Sequence, residues 1–186
     1  MRLRLWAAAC FFAAAACQAH PPIHWAQGGS RIDIPRARWT RGDWAIDLMP
    51  DGRVLANGDH LFTLDIAGRV FDRDNDPIAL LEPDGRVVGK NDAPLGQIGL
   101  RNASPPAANV AWLSIDEGGQ VVRFDPEGYP HADGVWQGCG PALRTCTLAT
   151  HLIAVAETRS GRGARVGVGL GMGVGRGAGF GMFVSP

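Results

Sequence analysis

Residues 44–88 read WAIDLMPDGRVLANGDHLFTLDIAGRVFDRDNDPIALLEPDGRVV, and the fold depends on how this stretch is parsed. Pro50-Asp51-Gly52-Arg53-Val54 returns as Ile66-Ala67-Gly68-Arg69-Val70 and again as Pro83-Asp84-Gly85-Arg86-Val87. A weaker copy is Glu117-Gly118-Gly119-Gln120-Val121. The turn glycines Gly52, Gly68, Gly85 and Gly119 are separated by 16, 17 and 34 residues. That is a period of about 17 with one unit missing its glycine, and Asn102, which tolerates a positive φ, stands near the gap.

Each unit has the same local physics. A short apolar-alternating run such as Ala45-Ile46-Asp47-Leu48 leads into the turn, and a second such as Val54-Leu55 leads out. Asp-Gly between alternating runs is a hairpin signal, because glycine takes a positive φ without a Cβ clash. The runs are too short for helices. The links Ala56-Asn57-Gly58-Asp59 and Asp74-Asn75-Asp76-Pro77 are turn sequences too. The expectation is an all-β fold, an antiparallel meander of eight to ten short strands over residues 44–137.

Residues 138–160 change character. Pro141 suits a first helical position. Leu143, Cys146, Thr150 and Ile153 follow helical spacing, which predicts one helix covering a face of the sheet. The β-branched content leaves a strand pair open. Residues 161–186 hold ten of the 26 glycines, at alternate positions, with Val166, Val168, Leu170, Met172, Val174, Phe180 and Met182 between them. Period two predicts a Gly-rich β tail with one bare face, suited to close packing or self-association. Disorder and a membrane helix remain alternatives.

The start of the chain reads as an export signal over residues 1–16. Arg2 and Arg4 precede an apolar run, Leu5 to Ala16, of twelve residues. As a helix that run is about 18 Å long, too short for a bilayer core of roughly 30 Å. It ends at Ala14-Ala15-Ala16-Cys17, which resembles a bacterial lipobox although Ala14 stands where Leu is usual. Cys17 is therefore the expected lipid attachment site, and residues 17–43 the tether and lead-in. Plain cleavage near Ala19 and an uncleaved anchor are the alternatives. In an oxidising compartment Cys139 and Cys146 are expected to form a disulfide, and the six-residue loop makes it worth about 2 kcal/mol.

The train of Asp-Gly-Arg-Val hairpins over roughly residues 44–157, behind a lipobox-like cysteine, resembles a group of uncharacterised bacterial envelope lipoproteins with repeated "DG-x-V" units. The resemblance implies hairpin architecture and an envelope location, and no activity. The Cys139–Cys146 pair departs from that group.

Charge narrows the function. Basic and acidic residues balance at 18 each, so no electrostatic footprint points to nucleic acid. Asp72-Arg73-Asp74-Asn75-Asp76 spaces three carboxylates as in the first half of a calcium loop, but Pro77 stands where that loop needs glycine, so a turn is expected and no metal. No cofactor motif is present. Tyr129, His131 and Asp133 lie on one polar segment and are the only catalytic candidates. Trp39 and Trp44, with Arg36, Arg38 and Arg41, are either core caps or a stacking surface. The tripeptide Arg41-Gly42-Asp43 is too short to carry meaning.

The expected function is an exported, membrane-anchored lipoprotein of the bacterial cell envelope, at the outer membrane or periplasmic face. Its role is expected to be non-catalytic, binding or structural, with the membrane and an envelope protein as partners. The alternatives are an exported hydrolase with its site near Tyr129–Asp133, and an envelope subunit that self-assembles through the Gly-rich tail.

Overall fold

The computed structural model describes residues 19–108 and 110–159. The expected export signal, Cys17 and the Gly-rich tail lie outside the described residues. Within them, twelve strands follow one another: β1 (Ala37–Arg41), β2 (Trp44–Leu48), β3 (Arg53–Ala56), β4 (Asp59–Leu64), β5 (Arg69–Phe71), β6 (Pro77–Leu81), β7 (Arg86–Gly89), β8 (Pro94–Ile98), β9 (Asn102–Ser104), β10 (Leu113–Ile115), β11 (Gln120–Phe124) and β12 (Pro130–Gln137). A helix, α1 (Leu143–Arg159), closes the order.

Every strand pairs antiparallel with its neighbour in sequence, so the meander holds. It also closes. β1 pairs with β12, Trp39 opposite Trp136, which makes a barrel. β1 falls within residues read from sequence as lead-in. The wall alternates, as in β3, where Val54 and Ala56 are buried and Arg53 is exposed. Outward residues pair across strands, Arg38 with Asp47 at 3.2 Å on β1 and β2.

The turns explain the repeat. At residues 49–53 the Met49 N–H donates to Arg53 O at 2.8 Å and the Gly52 N–H to Met49 O at 2.9 Å. Asp51 accepts from the Arg53 N–H at 3.2 Å and from Arg53 Nε at 2.7 Å. Asp84 and Arg86 repeat this pair. The arginine of the motif thus folds back on its own aspartate. Gly52 has φ +88°, and a Cβ there would lie 1.9 Å from Leu64 O. Its carbonyl accepts from the Leu64 N–H, so the turn is also laddered to β4. Gly68, Gly85 and Gly119 also have positive φ and lie between antiparallel strands. Asn102 is not a turn residue. It opens β9 after a tighter turn closed by the Gly99 N–H on Asn102 O.

Twelve strands enclose a lumen that wall side chains alone do not fill, since about eight strands suffice for that. α1 fills it. Only Arg144, Thr158 and Arg159 of its seventeen residues are not buried. The expected helix on one sheet face is instead a helix buried all round. Its polar residues are accommodated by carbonyls and indoles: Thr145 donates to Asp33 O at 2.6 Å, and Thr150 accepts from Trp136 Nε1 at 2.9 Å. The Cys139–Cys146 disulfide, with Cα atoms 6.2 Å apart, ties the end of the wall to the first turns of α1.

Residues 19–33 do not form a free tether. The His20 and Ile23 N–H groups donate to Asn91 and Asp92, between β7 and β8. Trp25 meets Phe71 edge-on at 5.0 Å, and the Gly29 and Ser30 N–H groups reach Ala67 O and Leu81 O at the opposite end of the wall. This strap covers the outside of β6, whose residues 78–81 are buried on both faces.

Candidate functional site

Tyr129, His131 and Asp133 do not converge. Tyr129 is two-thirds exposed at the tip of the β11–β12 hairpin. His131 Nε2 lies 3.0 Å from Asp125 Oδ2 in an exposed pair, and that imidazole, with the Tyr129 N–H, holds the Asp125 carboxyl below its ordinary value. Asp133, two residues deeper on the same face as His131, is buried inside the wall, beside Gly134 at φ +92° and a register shift between Gln120 and Val122.

There Asp133 joins the main polar cluster of the interior. Arg41 Nε is 2.5 Å from Asp133 Oδ1, and Arg41 Nη1 is 3.1 Å from Glu157 Oε1. Arg123 contacts Asp133 Oδ2 and donates to Glu157 Oε2 at 2.6 Å. Among the described residues, two guanidiniums from β1 and β11 and two carboxylates from β12 and α1 thus form a ring of alternating charge. Burial pushes the Asp133 carboxyl up, against the pull of Arg123 and Arg41. Among the described residues, Arg123 Nη2 is buried without a hydrogen-bond partner.

The ring sits among indoles. Trp39 is fully buried, stacks on Trp136 at 5.9 Å and donates from Nε1 to Asp133 O at 2.7 Å. Trp44 meets Trp39 edge-on, and the Arg41 guanidinium lies 5.9 Å from its ring centre. Of the two tryptophans weighed as core caps or a stacking surface, Trp39 belongs to the core and Trp44 is partly exposed. Arg41, the first residue of Arg-Gly-Asp, is committed to the ring. Arg123 and Glu157 were missed from sequence. Glu157 carried one signal, as the only acidic residue on a helix otherwise made of apolar, Thr, His and Arg residues.

Midway along α1, His151 is fully buried with both ring nitrogens engaged. Nε2 is 2.9 Å from Leu95 O, and Trp112 Nε1 donates to Nδ1 at 3.1 Å. Burial pulls its pKa down to about 4, so the ring is neutral with its proton on Nε2. A Cβ at Gly96 would lie 2.7 Å from His151 Cε1, so the wall is bare there to admit the imidazole.

Asp72 gives its carboxylate to the Asp74 and Asp76 N–H groups, and Asn75 takes the positive φ of the turn. Among the described residues no three His, Cys, Asp or Glu side chains form a metal-binding group, and no helix is long and apolar enough to cross a membrane. The outer surface carries an open depression of about 570 Å³ beside Pro83, Gln97, Leu100 and Arg144. The Arg144 guanidinium there donates to Ser30 Oγ at 2.6 Å. No known protein family, curated protein or solved structure matches this chain.

Proposed function

We propose that this protein is an exported lipoprotein of the bacterial cell envelope, anchored through Cys17, whose barrel is a non-catalytic binding or structural module. The observation that carries the reading is the occupant of the barrel. The lumen, where a barrel of this size would otherwise hold a ligand or a channel, is filled by α1. The buried charges there pair with one another, and His151 is saturated by Trp112 and Leu95. Such an interior supports rigidity, and recognition then falls to the outer surface. The buried disulfide suits an oxidising compartment.

Intact mass spectrometry of the mature chain tests the anchor. The expected result is an acylated Cys17 at the new N-terminus, with Cys17→Ala moving the protein from the membrane fraction to the soluble one. A mature chain that starts elsewhere, or that is soluble and unacylated as wild type, overturns it.

A further inference from the structure

Both ends of the described chain leave the barrel at the same rim. Successive strands alternate in direction, so the β1–β2, β7–β8 and β11–β12 turns share one rim. His20 and Ile23 are pinned there by Asn91 and Asp92. α1 enters at the opposite rim, where Thr147 donates to Leu100 O. It emerges at the first rim, where Glu157 meets Arg41 and Arg123 at the ends of β1 and β11. From Thr147 at one rim to Glu157 at the other, α1 rises about 15 Å.

We propose that this rim is the face the protein lays against a lipid bilayer, so that the barrel stands end-on with its Asp-Gly turns directed away from the membrane. The inference rests on the Cys17 anchor proposed above. Its carrier is tether length. Because the strap from His20 onward is bonded to the wall, three residue steps separate Cys17 from the barrel, a reach of about 10 Å at full extension. So short a leash keeps this rim, and not the opposite one, within reach of the anchored residue.

The wall itself stays outside the bilayer. Its outer face carries charge, such as the Arg38–Asp47 pair, where a spanning barrel needs an apolar band. Charge does not drive the orientation, since the rim carries Asp43, Asp59, Asp74, Asp76 and Glu127. Geometry does.

The test uses the full-length, processed protein in phosphatidylcholine vesicles containing headgroup spin-labelled lipid. Fluorophores are attached to single added cysteines at the proposed contact rim, Asp74→Cys or Glu127→Cys, and at the far rim, Ile66→Cys or Glu117→Cys. All four positions are exposed turn residues. The expected result is quenching at least threefold stronger at residues 74 and 127 than at 66 and 117. Equal or reversed quenching on a protein whose acyl group is verified by mass overturns the orientation and leaves the anchor standing. An unacylated chain removes both.

Discussion

Trp112 reaches across the wall to donate from Nε1 to Nδ1 of His151, and the same imidazole reaches Leu95 O through Nε2. A neutral ring satisfies both bonds. A second proton would remove the acceptor that Trp112 needs and leave a charge in the centre of the barrel.

The first prediction is a pH dependence. The His151 pKa is about 4 in the folded protein against 6.5 in a model peptide. Below pH 6.5 the unfolded chain takes the proton first, so stability falls from about pH 6.5 to pH 4, by about 3 kcal/mol in all. Above pH 6.5 this contribution is fully present. Urea unfolding of wild type and His151→Leu at pH 7 and pH 4.5 checks it. The variant should lose much less stability than wild type between the two. Equal losses would show that the imidazole does not titrate this way.

Two glycines with similar φ should respond differently to alanine. Gly52 and Gly58 have φ of +88° and +94°, but a Cβ at Gly52 meets Leu64 O whereas one at Gly58 meets nothing within 4 Å. Gly58→Ala should cost about 1 kcal/mol, the backbone strain alone. Gly52→Ala should cost about 3 kcal/mol, because the turn must also pull away from β4. Denaturant midpoints with unchanged m-values would measure the difference.

The ring of Arg41, Asp133, Arg123 and Glu157 should behave as a unit. Arg123→Met leaves two carboxylates against one guanidinium, and the expected loss is about 2–4 kcal/mol, since the acids are mostly buried and the arginines partly so. Adding Glu157→Gln restores charge balance and should recover part of that loss. A double-mutant cycle with strictly additive losses would show Arg123 and Glu157 to be independent and the ring not to act as a unit.

The disulfide should resist reduction until the barrel opens, because Cys139 and Cys146 are almost completely buried. Replacing both with alanine should cost about 2 kcal/mol for so short a loop. Thiol release by a reductant, followed by mass, should track global unfolding. Fast release from the folded protein at neutral pH would contradict the buried geometry.

The strands were legible where their causes are local. Gly52, Gly68, Gly85 and Gly119 lie within a few residues of the aspartates and arginines that shape their turns, and alternation such as Val54-Leu55-Ala56 marks which side faces in. The disulfide was legible because two cysteines remain once the expected leader is set aside. Asp133 misled for a physical reason. It shares a short segment and a face with Tyr129 and His131, but His131 stands opposite Arg123 nearer the rim and turns to Asp125, whereas Asp133, two residues deeper, meets Arg41 and Arg123.

The sequence by itself determined the antiparallel order of the hairpins, their turns and the cysteine pair, since these depend on spacings of a few residues. Tertiary structure alone decided three things. β1 meets β12 across nearly a hundred residues, because the strands twist in one sense until the edges of the sheet find each other. α1 moved from a sheet face to the lumen, because twelve strands leave a volume that only another element can fill. Arg41, Arg123, Asp133 and Glu157 became one site only when that helix carried its single glutamate to the far rim, a meeting no local pattern encodes.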